Sequence, residues 1–388
     1  MAVPALAPNL AFQEGISNFS FSLYGAIERS GNEFISPYSI SAALLLLSLG
    51  TGGTTKKQIL SSMFTTGMVN DVHMGYKTLN TKIESRANTG VTLSVANRLF
   101  ASDRFTILQK YFTDSLTYYG SEVQRLDFTT QAEQSRVLIN NWISTQTHDK
   151  IRDMMPKGSI NGNTIMVLAN AIYFKGMWKR KFDARRTIKK NFMAGPNNQM
   201  QVDMMHDQFK AMSGEHTALN CKVLQLPYSG DQVSMVLILP NDKNGLTQLE
   251  NRLTFAKFQE LLSGLRKQDT IIRIPKFKVE ESYDLKSILR HLGISEIFDR
   301  TTANFTKMVS PQLNSHGVYV SNARHKSYIE VNEESSEAAA ATTLEITLTS
   351  AQIYPTSPFE FIADHPFMFV ILDNETKTTL FMGRYAEP

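Results

Sequence analysis

A chain of 388 residues is long enough for two or three domains and buries enough surface on folding to need no metal or disulfide staple. Its 42% hydrophobic and 20% charged residues describe an ordinary soluble globular protein. Forty basic against 36 acidic residues leave +4, too weak to imply nucleic acid, while the one cysteine, Cys221, excludes an internal disulfide or Cys-rich zinc site and suits a reducing compartment.

The first ten residues carry Pro4 and Pro8 but no basic residue, so they do not read as a signal peptide. Leu10 to Glu28 places apolar residues at helical spacing. Ser36-Pro37 sets up a second helix running to Leu49. Its apolar stretch, Ile40 to Leu49, is ten residues long. A membrane span needs ~20, so a buried helix is predicted. Gly50, Gly52 and Gly53 end it, and Thr54 is placed to cap the next helix. Val91 to Phe100 alternates as a strand does. Gln131 to Thr147 is amphipathic, with Val137, Ile139, Trp142 and Ile143 facing inward.

The second half is richer in strands. Thr164 to Phe174, Val223 to Leu226, Val233 to Leu239, Ile271 to Val279 and Phe367 to Asp373 are apolar runs bounded by turn residues. Tyr283 to Leu292 reads as a short helix. Helices precede mixed sheets without regular β-α-β alternation, which is an α+β fold. No repeat, low-complexity linker or long charge run divides the chain, which argues for one domain despite the length.

Catalytic motifs are missing. There is no His-Glu-x-x-His and no Gly-x-Ser-x-Gly. Gly50-Thr-Gly-Gly-Thr-Thr-Lys-Lys57 resembles a phosphate loop but lacks a glycine before Lys56 and follows a helix, so it reads as a helix terminator. No two of the eight histidines are four residues apart. No enzyme activity, metal or cofactor is predicted, although spacing alone does not address a site assembled from distant parts of the chain.

Residues 327–354 contain neither Gly nor Pro. One reading is a helix, capped by Ser335 or Ser336 and built on Ala338 to Ala341. The other is a strand that can move. Small Ser, Ala and Thr side chains pass between neighbouring strands, and without proline every N–H can join a ladder. Composition leaves both open.

Asn332-Glu-Glu-Ser-Ser-Glu-Ala-Ala-Ala-Ala-Thr342 resembles the reactive-loop hinge of the serpins, usually Asn-Glu-Glu-Gly-Thr-Glu-Ala-Ala-Ala-Ala-Thr. Asn170-Ala-Ile-Tyr-Phe-Lys-Gly-x-Trp178, Leu226-Pro-Tyr228, Ile274-Pro-Lys-Phe277 and Asp364-His-Pro-Phe367 are similar to family motifs and fall in the family order. The resemblance spans roughly residues 9–388 and is nearest the intracellular, ovalbumin-like branch. It implies one serpin domain over 1–388, an α+β fold of about nine helices and three β-sheets, with a reactive loop at about 333–360. A serpin offers that loop to a serine protease, is cleaved, and inserts it as a new strand while the protease stays covalently attached.

Residue by residue, the resemblance makes Glu333, Glu334, Ser335, Ser336, Glu337, Ala338, Ala339, Ala340, Ala341 and Thr342 the hinge. Ser335 stands where glycine is usual and Ser336 where threonine is usual. Ser36, Ser39, Asn170 and His325 match the polar cluster under the central sheet, the shutter. Trp178, Lys276 and Glu333 match the breach, where insertion begins and where Lys276 and Glu333 would form an ion pair. The scissile bond falls at Thr349-Ser350, or one residue earlier at Leu348-Thr349.

No Lys or Arg lies between Lys326 and Lys377, so no register offers trypsin a basic side chain. An inhibitor of elastase-like or chymotrypsin-like serine proteases is expected. A non-inhibitory serpin and a cross-class inhibitor of papain-like cysteine proteases are the alternatives. The expected partner is a target serine protease, the expected state a monomer, and the expected location cytoplasmic or extracellular by unconventional release. Lys179, Arg180, Lys181, Arg185, Arg186, Lys189 and Lys190 cluster on either side of Asp183. They read as a solvated charged face or as a site for heparin or another polyanion.

Overall fold

The computed structural model describes residues 8–63, 72–85, 90–196, 198–310, 317–333 and 357–388. Along the first half run α1 (Pro8–Gly25), β1 (Glu33–Ile35), α2 (Pro37–Gly50), α3 (Gly53–Ser62), α4 (Val72–Glu84), β2 (Val91–Ser102), α5 (Gln109–Tyr119), β3 (Val123–Leu126), α6 (Ala132–Gln146) and β4 (Met166–Gly176). Then come β5 (Ile188–Gly195), β6 (Asn198–His216), β7 (Cys221–Pro227), β8 (Val233–Pro240), α7 (Leu246–Arg252), α8 (Phe255–Ser263), β9 (Arg266–Pro275), β10 (Phe277–Asp284) and α9 (Leu285–His291). The last elements are β11 (Asn322–Val331), β12 (Phe359–Ile362), β13 (Phe367–Asp373) and β14 (Thr379–Tyr385). The fold is α+β, as the order of elements implies.

Ser36 caps α2, its hydroxyl accepting the Ser39 N–H at 3.1 Å, with Pro37 in the first turn. All but one of the fourteen residues of α2 are buried, which is why its sequence is apolar on every side. The next helix starts two residues earlier than the sequence suggests. Gly52 is its N-cap, so Thr54 lies inside the first turn and does not cap.

Five strands form a sheet in the order β10-β11-β4-β2-β3. Within it β4 runs parallel to β11 and antiparallel to β2. Both faces of β4 are covered, and its first nine residues are all buried. Val167, Ala169, Ala171 and Tyr173 pack with Ile139 and Ile143 of α6 on one face. Leu168, Ile172 and Phe174 join the main core on the other. On α6 the Trp142 ring packs edge-on against Phe100 at 5.6 Å, whereas Val137 is 41% exposed and faces solvent, against expectation. The inward stripe is set by Ile139 and Ile143, four apart, and Val137 falls outside it.

The other nine strands join into one sheet through the 19-residue β6. Its first part pairs with β5, its middle with β9 and its end with β7. The apolar run Ile271 to Val279 is not one strand. It breaks at Lys276, leaving β9 in the nine-stranded sheet and β10 in the five-stranded one. The short helix near Tyr283 begins only at Leu285, where the Asp284 carboxylate caps it. Among the described residues no helix is long and apolar enough to cross a membrane.

Candidate functional site

The chain leaves the five-stranded sheet at Val331, and its next described strand, β12, begins at Phe359 in the other sheet, where it pairs parallel with β9. Glu334 to Thr342, and Leu348, Thr349 and Ser350 with them, lie outside the described residues. The site that can be described is where this segment starts, together with the pair of strands below it.

That pair is β4 and β11. They lie side by side and parallel, from Asn322 opposite Val167 to Ile329 opposite Phe174. A segment that follows β11 and turns back runs antiparallel to β11, and therefore antiparallel to β4 as well. It could bond along both if they parted, replacing slanted parallel bonds with two antiparallel ladders.

Under the middle of the pair a buried polar cluster gathers Ser36, Ser39, Asn170 and His325. His325 and Asn170 are register partners on β11 and β4. The Ser36 N–H donates to His325 Nε2 at 3.1 Å, so that nitrogen is unprotonated. The proton therefore sits on Nδ1, which donates to Asn170 Oδ1. With its oxygen so used, Asn170 turns its Nδ2 to Ser39, at 2.8 Å from the carbonyl and 2.7 Å from the hydroxyl. Burial pushes the His325 pKa down to about 3, so the imidazole is neutral. The cluster thus ties α2 to both strands of the pair.

One member escapes sequence reading. Asn97 of β2 lies opposite Asn170 and accepts hydrogen bonds from Asn170 Nδ2 and from the Ser39 hydroxyl, the latter at 3.2 Å. A strand pattern shows no difference between such a residue and an ordinary polar position.

At the upper end the Trp178 indole N–H donates to the Asn332 carbonyl at 2.9 Å. The Trp178 ring stacks on Tyr228, 4.7 Å away and nearly parallel. Tyr228 in turn packs over Gly176, where a Cβ would stand 2.5 Å from the ring, so β4 must end without a side chain there. Glu333 meets Lys276 Nζ at 2.9 Å and the Thr187 hydroxyl at 2.6 Å. Burial raises the Glu333 pKa, but the hydrogen bonds from Thr187 and Lys276 outweigh it and hold the carboxyl below its usual range. Thr187 is a second residue that the sequence did not single out.

The basic cluster is largely paired. Arg180 and Arg186 share the buried Asp207 at 3.2 and 3.3 Å, and Lys189 reaches Asp203 at 3.0 Å. Arg185 folds back on Asp183 at 2.7 Å, and Lys179 meets Asp231. Among the described residues no carboxylate pairs with Lys181 or Lys190 within 4 Å. Three acids brought in from elsewhere in the fold, Asp203, Asp207 and Asp231, therefore pair with four of the seven clustered cations.

An α+β fold with a parallel strand pair above a buried polar cluster defines the class. The sequence matches the serpin (serine protease inhibitor) family over residues 14–388, and the chain belongs to that family. It is 38% identical to the leukocyte elastase inhibitor of Xenopus tropicalis over 379 residues, covering 96% of this chain and 98% of that protein. To the human leukocyte elastase inhibitor it is 36% identical over 381 residues, with the same coverage. The structure superposes on uncleaved ovalbumin with a TM-score of 0.86 at 28% identity, covering 97% of this chain and 100% of ovalbumin.

Proposed function

We propose that this chain inhibits elastase-like and chymotrypsin-like serine proteases as a suicide substrate and is not itself an enzyme. The observation that carries the reading is the fit between the β4–β11 pair and the sequence that follows Glu333. Strand side chains alternate faces. Ser336, Ala338, Ala340, Thr342, Leu344, Ile346 and Leu348 fall on one face. Ser335, Glu337, Ala339, Ala341, Thr343, Glu345, Thr347 and Thr349 fall on the other. The first face is small, then apolar, and suits the core side of the sheet. The second carries Glu337 and Glu345 and suits the outer side.

The chemistry is that of a protease substrate stopped halfway. The protease serine oxygen attacks the Thr349 carbonyl, the Thr349-Ser350 bond breaks, and the amine of Ser350 leaves with the proton taken from that serine. Thr349 remains as an ester on the protease. The freed segment enters between β4 and β11, gaining backbone hydrogen bonds and burying Leu344, Ile346 and Leu348. Entry begins at Glu333, where the Lys276 and Thr187 contacts must give way, and it requires the links of Asn170 and His325 across the strand pair to open. The single chain suffices for all of this.

The test is incubation with an elastase, chymotrypsin and trypsin, followed by SDS electrophoresis. A complex that survives SDS with the first two supports the reading. Loop cleavage without any complex would make the chain a non-inhibitory member, and complexes with papain-like enzymes alone would move it to cysteine proteases.

A further inference from the structure

Beside the upper site lies a groove of about 960 Å³ that the inhibitory reading does not use. Its apolar wall is Trp178, Phe182, Phe209, Met212 and Leu226. Met212 is 37% exposed, a large apolar side chain left open to solvent. Across the opening the Arg180 guanidinium lies over the Phe209 ring at 4.6 Å, held there by Asp207. The rim is charged. Lys179 and Asp231 satisfy one another. Lys210 and Lys267 are exposed, line the groove, and have no carboxylate within 4 Å among the described residues. Asp269, opposite Lys210 in the strand register, is committed to the Gln208 amide at 2.8 Å. Trp178 and Phe182 are each only 5% exposed, so the groove offers the exposed Met212 and the guanidinium of Arg180 on Phe209 inside, and two lysines against one aspartate at its edge.

We propose that this groove is a binding site for a small amphipathic aromatic anion. The ring would lie against Met212 and the Arg180 guanidinium, and the acid group would meet Lys210 and Lys267. A planar guanidinium beside an exposed methionine favours a flat ring, because arginine stacks on aromatic faces and a thioether packs against them. An unpaired lysine pair at the mouth of an apolar groove favours an anion there more strongly than in open water. Trp178 belongs to both the groove and the upper site, so an occupant touches the residue that holds the Asn332 carbonyl.

The chain has two tryptophans, and Trp142→Phe leaves Trp178 as the sole indole reporter. With anilinonaphthalene sulfonate as the probe, that variant should show one saturable site whose filling quenches Trp178. Lys210→Glu with Lys267→Glu should weaken it about tenfold, and so should raised salt. Met212→Asp should weaken it independently while leaving the fold intact, as judged by its circular dichroism. Probe affinity unchanged by the lysine reversals, or saturation without quenching of Trp178, overturns the proposal. Because the readout is binding, its failure leaves the inhibitory reading untouched, and loss of inhibition leaves the groove untouched.

Discussion

His325 shows how a single side chain sets a pH limit on the molecule. Folded, it titrates at about 3; an unfolded histidine titrates near 6.5. Between those values the unfolded chain holds a proton that the folded one does not, so stability is complete above the upper value and falls as pH drops toward the lower. The loss should reach roughly 3 kcal/mol between pH 6.5 and pH 4. Glu281 works the other way. Burial and the nearby Glu33 and Glu280 raise it to about 7, so its protonation stabilises the folded state as pH falls. Comparing urea midpoints of wild type and His325→Gln across this range isolates the histidine, and the variant should lose less stability on acidification. Equal slopes would show that His325 is not the group responsible. For Lys276→Ala a smaller effect is expected. The lysine is 39% exposed, so its pair with Glu333 is screened, and stability should fall by about 1 kcal/mol or less.

Strand entry is a property of the element, and the hinge tests it. Ala340→Pro removes a ladder N–H, and Ser336→Arg puts a charge on the face that must pack inward. Each should turn an inhibitor into a cleaved substrate, read as a rise in the stoichiometry of inhibition; an unchanged stoichiometry would exclude insertion. Loop cleavage of the wild type should in turn raise the thermal midpoint sharply. The elements themselves were unequally legible. Strands such as β4 and β8 stood out because both faces are buried and the run is mostly apolar. β11 carries Arg324, His325 and Lys326, and only its neighbours make it a strand. The break at Lys276 was hidden because apolar residues continue across it. What divides them is tertiary: the Lys276 N–H bonds the Asp203 carbonyl at 2.8 Å while its side chain turns to Glu333. The shutter and breach positions came from family resemblance, while Asn97 and Thr187 needed the strand register and the fold.

For the whole molecule, specificity follows from what the chain lacks between Lys326 and Lys377. Trypsin-like enzymes need a basic side chain to pair with the acid of their primary pocket. No stable complex with trypsin is expected. Mass spectrometry after elastase should find a new N-terminus at Ser350, or at Thr349 after a chymotryptic cut, and cleavage only beyond Tyr354 would show the register to be wrong. The surface charge gives a second whole-molecule test. With five of the seven clustered cations paired to carboxylates, heparin resin should release the protein at low salt. Neutralising Arg185, Arg186, Lys189 and Lys190 should barely move that point. Elution only at high salt, lost in the variant, would establish a polyanion site instead.

The closed β4–β11 pair also decides how such a molecule is used. A strand bonded along both edges has no easy way out, so each chain acts once and is then spent. Its effect depends on number more than on affinity. Residual protease activity should fall along a straight line as the chain is added and stop at a sharp corner, where copies of the two proteins match. Supply is then a matter of synthesis, with at least one new chain for every protease silenced.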